Sequence, residues 1–116
     1  MVYEYFIKEN PISLNDWYGS RHWSIRKKQK DTWFKIFKDA ISENPPSKIV
    51  KYRLELAVNS RHDPSNTITI IKIFEDTLKE LGFILDDAPK YCREIILKPD
   101  ENLPKKSFKL YLEKIS

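Results

Sequence analysis

The sequence predicts a small α+β domain with a mixed sheet of about four strands and two main helices, in the order β-α-β-α-β-β. Three observations lead there. The stretch Ile49–Asn59 alternates strictly, with Val50, Tyr52, Leu54, Leu56 and Val58 on one face and Lys51, Arg53 and Glu55 on the other. That period of two belongs to a half-buried strand. Two further windows, Ile25–Ser42 and Thr67–Leu81, repeat their apolar residues every three to four positions, as amphipathic helices do. The chain has 116 residues, enough for one core and too few for two, so residues 1–116 are expected to form a single domain.

The remaining elements follow from local patterns. Val2–Lys8 sets Tyr3, Tyr5 and Ile7 against Glu4, Phe6 and Lys8 and reads as a strand, which Asn10-Pro11 ends. Ser13–Ser24 has no clean period. It mixes Asn15, Trp17, Tyr18, Arg21, His22 and Trp23, either as a loop packed over the core by its rings or as a loop held beside a ligand. Ser24 is placed to cap the first helix, whose stripe is Trp33, Phe34, Ile36, Phe37, Ala40 and Ile41, and Asn44-Pro45-Pro46 stops it. A polar turn at Arg61–Asn66 precedes the second helix, where Ile71, Phe74, Leu78 and Leu81 share a face and Gly82 caps the C-terminus. Lys90–Pro99 gives a third strand, with Cys92, Glu94 and Ile96 opposite Tyr91, Arg93, Ile95 and Leu97. After a turn at Asp100–Lys106, Phe108, Leu110 and Leu112 alternate with Lys109, Tyr111 and Glu113. This last strand is expected to pair with the one before it as a long-looped hairpin.

Composition excludes several classes of protein. Hydrophobic residues at 41% and charged residues at 33% are a globular balance. Two glycines leave no glycine-rich phosphate loop, and one cysteine, Cys92, leaves no internal disulfide and no cysteine zinc site. Two histidines make no His-rich metal site. No stretch approaches the ~20 apolar residues that cross a bilayer. Glu4, Lys8 and Glu9 interrupt the N-terminus as a signal peptide. A soluble cytoplasmic protein without a membrane partner is the expectation.

Charge placement is more informative than the net +4. Arg21, Arg26, Lys27, Lys28, Lys30, Lys35 and Lys38 are seven basic residues within 18 positions, opposed there only by Asp31. Trp17, Tyr18, His22 and Trp23 lie just upstream. Cations attract phosphates and rings stack on exposed bases, so this region reads as a polyanion surface or as a solvated helix face beside core aromatics. The acidic signal is separate. Asp63 precedes the second helix, and Asp86-Asp87 follow it. Were the sheet to bring them together, these carboxylates would suit Mg²⁺, which prefers oxygen ligands. They equally suit ordinary structure, with Asp63 as an N-cap before Pro64 and Asp86-Asp87 as a turn. Lys72 pairs by spacing with Asp76, either as a surface bridge or at the edge of a phosphate site.

The run Asp63-Pro64-Ser65-Asn66, followed by Lys72, Asp76, Leu78, Gly82, Asp86 and Asp87, resembles the RusA-like Holliday junction resolvases. Their signature is Asp-x-Asp-Asn before a helix, Lys and Asp within it, Gly near its end, and Asp-Asp before a strand. Ser13-Leu14-Asn15, Trp17-Tyr18 and His22-Trp23 are similar to the entry of family members. The resemblance spans roughly residues 3 to 97. It implies a small α+β homodimer in which each subunit carries one acidic Mg²⁺ site, with Mn²⁺ as a possible substitute, and the pair nicks a four-way DNA junction. It implies catalytic roles for Asp63, Lys72 and Asp87, metal ligation by Asp63, Asp86 and Asp87, and places for Asn15 and Asn66 at the DNA; the basic cluster itself adds Arg21, His22, Arg26, Lys27, Lys28 and Lys30 as the expected DNA contacts. Ser65 stands where the second acid of the signature falls, and Asp86 and Glu75 are the nearby acids that could restore the ligand count. A junction-binding homodimer without cleavage is the alternative expectation.

Overall fold

The computed structural model describes residues 1–11 and 23–115. The strands are β1 (Val2–Ile7), β2 (Lys51–Asn59), β3 (Cys92–Pro99) and β4 (Ser107–Ile115); the helices are α1 (Trp23–Glu43) and α2 (Ile68–Glu80). A 3₁₀ turn, Pro64–Thr67, leads into α2. The order β-α-β-α-β-β is the one the sequence predicts. Helix α1 is already under way at Trp23, so Ser24 lies inside it rather than capping it.

The sheet runs β1-β4-β2-β3. Strand β4 is antiparallel to both β1 and β2, whereas β2 and β3 are parallel and joined through α2. The expected hairpin between the last two strands therefore does not form. The physical reason lies in the burial of the two strands. Phe108, Leu110 and Leu112 are wholly buried, as a strand inserted between two neighbours requires. Strand β3 exposes much of its surface and takes the edge.

Two local patterns also depart from simple alternation. Tyr52 pairs with Cys92 but Arg53 pairs with Glu94, so an irregularity skips Arg93. Cys92 consequently shares the helix-covered face with Tyr52, while Glu94 and Ile96 join Arg53 and Glu55 on the other. Strand β2 starts at Lys51, and Val50 is left exposed ahead of it. Ile49 instead makes a parallel bridge to Ile84.

Both helices pack on one face. Trp33, Phe37 and Ile41 of α1 and Ile70, Ile71, Phe74 and Leu78 of α2 meet Tyr5, Ile7, Tyr52, Leu54, Leu56, Val58 and the β4 residues in one cluster. Phe37 sits edge-on to Phe74 at 5.3 Å and to Phe108 at 6.2 Å. Trp33 lies 5.9 Å from Phe108. These rings fill the chain's own core. Helix α2 ends in a Schellman arrangement: Gly82 at φ 83° lets its N–H reach Lys79 O at 3.1 Å while Phe83 N–H reaches Leu78 O at 2.9 Å.

The sheet face opposite α1 and α2 is laced by ion pairs. Arg53 reaches both Glu94 and Glu113, Lys98 reaches Glu55 at 3.1 Å, and Lys109 reaches Glu4 at 2.9 Å. Val2 and Phe6 are exposed among them.

Candidate functional site

The polar centre of the molecule gathers along α2 and the segment that follows it. The alternation of apolar residues buries Ile71, Phe74 and Leu78 against the sheet and turns Lys72 and Asp76 outward. After Gly82 the chain passes back alongside the helix before entering β3. There the Lys72 ammonium contacts the Asp87 carboxylate. One step earlier, Lys79 Nζ contacts Asp86 Oδ1 at 3.2 Å. Asp86 Oδ1 also accepts the backbone N–H of Asp87 at 2.9 Å, which fixes the two acids relative to each other. The i,i+4 pairing of Lys72 with Asp76 gives way to this longer-range contact, and Asp76 acts on Lys72 only through its charge.

The two partners' titrations agree in direction. The hydrogen bond from Lys72 holds the Asp87 carboxyl below its ordinary range. The same bond raises the Lys72 ammonium.

Directly beneath lies a group that the sequence did not single out as a unit. Glu75 is only 4% exposed, and the Tyr52 hydroxyl donates to its Oε2. Burial pushes the Glu75 carboxyl up, although its bonds with Tyr52 and Cys92 pull the other way. Burial also pushes the Cys92 thiol up to about 11, with the charge of Glu75 adding to the effect. Tyr52 is raised as well, first by burial and then by its hydrogen bond to Glu75 and the charge of that carboxylate. Part of this was visible in the pattern: at 100° per residue Glu75 falls about 40° from Ile71, inside the apolar face of the helix. Its partners, 23 residues upstream in the case of Tyr52, were not.

The remaining predicted positions are distributed as follows. Asp63 is exposed and precedes the 3₁₀ turn, with Pro64 at the turn's first position. Its side chain makes no capping bond, whereas its carbonyl accepts the Asn66 N–H at 2.9 Å. Ser65 is exposed and Asn66 half-buried in the same turn. Asp63 thus follows the C-terminal end of β2, while Asp86 and Asp87 precede the N-terminal end of β3, which is parallel to β2. The structure joins Lys72 to Asp87 and sets Asp86 beside it; Asp63 is not part of that group. Lys27, Lys28 and Lys30 are exposed along α1, and none of them is in an ion pair among the described residues. Asn15, Arg21 and His22 lie outside the described residues, as does the side chain of Arg26.

No protein-family model matches this chain, and no curated protein matches it either.

Mg²⁺ is commonly held by one or two carboxylates, with waters and substrate phosphates completing its shell. Asp86 and Asp87 meet that minimum as neighbours in one segment. Among the described residues no group of three or more His, Cys, Asp or Glu side chains gathers to hold a metal ion. The donor set therefore fits a weak site that a substrate's phosphates would complete, and not a pre-formed three-ligand one.

Proposed function

We propose that the chain is a RusA-like Holliday junction resolvase, a Mg²⁺-dependent endonuclease that hydrolyses paired phosphodiesters in four-way or branched DNA as a homodimer. The observation that carries this reading is the contact between Lys72 and Asp87. They occupy the helical-lysine and late-acid positions of the signature, stand 15 residues apart, and meet beside the second acid, Asp86. The β-α-β-α-β-β order and the exposed lysines of α1 support the same reading. The sheet face opposite α1 and α2 supports the homodimer, because it offers Val2 and Phe6 among charges of both signs.

The roles follow from the chemistry of each group. Asp87 and Asp86 would hold the ion, with Mn²⁺ as an alternative. When bound, Mg²⁺ supplies charge neutralisation at the phosphodiester and a more acidic water. Lys72 places a permanent positive charge beside Asp87, where it offsets the charge of a scissile phosphate. Asp63 stands at the mouth of α2 with a carboxylate that is in no ion pair among the described residues, and Asn66 presents an amide to DNA. Lys27, Lys28 and Lys30 attract the backbone of the arms.

Two observations favour a second reading, in which the protein binds junctions without cutting them. Ser65 replaces an acid, and Asp63 is not gathered with Asp86 and Asp87. The deciding experiment uses synthetic four-way junctions with millimolar Mg²⁺ or Mn²⁺, scored for binding and for symmetric nicks. Nicking that disappears in Asp87→Asn supports the nuclease. Tight binding without nicks, unchanged when Ser65→Asp restores the acid, selects the binding protein. Absence of both removes the DNA reading.

A further inference from the structure

Strands β1, β2 and β3 end, and β4 begins, at the same end of the sheet, because β4 alone runs the other way. A cleft of about 440 Å³ opens there, lined by Asn10, Asn59, Ser60, Arg61, Lys105 and Lys106. Its described lining carries three cations and no carboxylate. None of the three is in an ion pair among the described residues, although Arg53, Lys72, Lys79, Lys98 and Lys109 all are.

The floor of the cleft is tied down. The connection from β3 to β4 is held to the end of β2 by three bonds: Asp100 N–H to Val58 O at 2.8 Å, Asn59 Nδ2 to Leu103 O at 2.6 Å, and Lys106 N–H to Asn59 O at 2.9 Å. Lys106 adopts φ 59°, a conformation that glycine takes without strain and lysine does not. At that position the chain carries a cation next to Lys105 and across from Arg61. Ser60 Oγ accepts the His62 N–H at 3.1 Å and keeps its own proton to donate. Ammonium, guanidinium, hydroxyl and amide donors around a roomy opening with no acid among its described lining residues are the donor set of a phosphate site.

We propose that this cleft is a phosphate-binding site and that it takes a backbone phosphate of DNA flanking the turn that bears Asp63. Arg61 lies two residues before Asp63, which places the cleft next to that turn along the chain. The source of the phosphate rests on the DNA reading above; the phosphate chemistry rests on the cleft alone.

The test compares wild type with the triple variant Arg61→Ala, Lys105→Ala, Lys106→Gly, in which glycine keeps the backbone of residue 106 unstrained. A control variant, Lys48→Ala, Lys51→Ala, Lys114→Ala, removes the same charge from exposed residues before and within β2 and late in β4. Junction affinity is measured against salt, with thermal unfolding to confirm that all three proteins fold. In parallel, inorganic phosphate is titrated while the amide signals of Ser60, Arg61 and Lys106 are followed by NMR. The expected result is at least about a tenfold loss of affinity in the cleft variant, with the salt slope shallower by about one, and a much smaller loss in the control. If wild type binds junctions and the two variants behave alike, the cleft proposal is overturned and the DNA reading stands. If wild type binds no DNA but the three amides shift saturably with phosphate, the DNA source is overturned and a free phosphate takes its place. If neither occurs, both fall.

Discussion

Lys72 on α2 and Asp87 in the segment entering β3 hold each other across the flank of the helix, and Asp86 is fixed beside them through the Asp87 N–H. The contact neutralises a carboxylate that would otherwise face Glu75. It also keeps a cation in place where the proposed reaction needs one. It ties the return segment to α2 as well, so the position of one acid depends on the conformation of the helical lysine.

Breaking this pair is expected to separate activity from folding. Asp87→Asn and Lys72→Met should each lower nicking by at least about a hundredfold, as loss of a group that acts on the transition state does. Stability should change by no more than about 1 kcal/mol, because the Lys72 side chain is 62% exposed and such pairs are screened. The sign with pH follows from the lowered carboxyl of Asp87. Its contribution is present above the ordinary aspartate value of about 3.9 and is lost as the pH falls through the lower folded value. Urea midpoints of wild type and Asp87→Asn between pH 7 and pH 2 check this. A difference that grows toward acid would contradict it.

Glu75 is expected to behave in the opposite sense. Its carboxyl is raised by burial, so the folded state holds the proton more tightly than the unfolded chain. That contribution is fully present below about pH 4.3 and is withdrawn as the pH rises through the higher folded value. Glu75→Gln keeps an acceptor for the Tyr52 hydroxyl and removes the ionisation. It should be as stable as wild type or more so at pH 7, and flatter across that window. Tyr52→Phe leaves a buried carboxylate without its donor and should cost about 1–3 kcal/mol. Equal destabilisation by Glu75→Gln at every pH would show that packing, not ionisation, governs the site.

Phe37 is completely buried and touches the rings of Trp33, Phe74 and Phe108. Phe37→Ala should lower the unfolding free energy by about 3–5 kcal/mol through lost burial and the cavity it leaves. Phe34, half-buried on the same helix, should cost far less when replaced by Ala. Chemical denaturation of the two variants gives the comparison, and similar losses would place the centre of the core elsewhere.

Neutralising Arg26, Lys27, Lys28 and Lys30 together should weaken binding to any DNA and flatten the dependence of log K on log salt by about 0.9 for each phosphate no longer met. Fluorescence anisotropy with duplex and junction DNA measures it. An unchanged slope would move the phosphate contacts off α1.

Much of the fold was legible because its signals are local. The alternation through Tyr52, Leu54, Leu56 and Val58 requires a strand, and Phe108, Leu110 and Leu112 require another. The apolar stripes of α1 and α2 require helices, and Gly82 is where a Schellman end needs a positive φ. These features depend on neighbours within a few residues, where backbone geometry imposes periods of 2 and 3.6. Of the candidate site, Lys72, Asp86 and Asp87 were legible as residues worth naming, and Glu75 only as a nearby acid that could replace a ligand.

What the sequence by itself determined, then, is the order of elements, the faces they bury and the acids and cations that chemistry could use. Only the tertiary structure decided which of them meet. It placed β4 between β1 and β2 instead of beside β3, because a strand with three fully buried side chains on one face is best covered in the interior of the sheet. It turned Cys92 inward by skipping one residue of the β2–β3 register, which no alternation rule foresees. It gave Lys72 to Asp87 rather than Asp76, joined Glu75 to Tyr52, and assembled Arg61, Lys105 and Lys106 at one end of the sheet. Each of these is a contact between distant parts of the chain. Such contacts are set by strand order and register, which arise from the packing of the whole core and leave no mark in any short window of sequence.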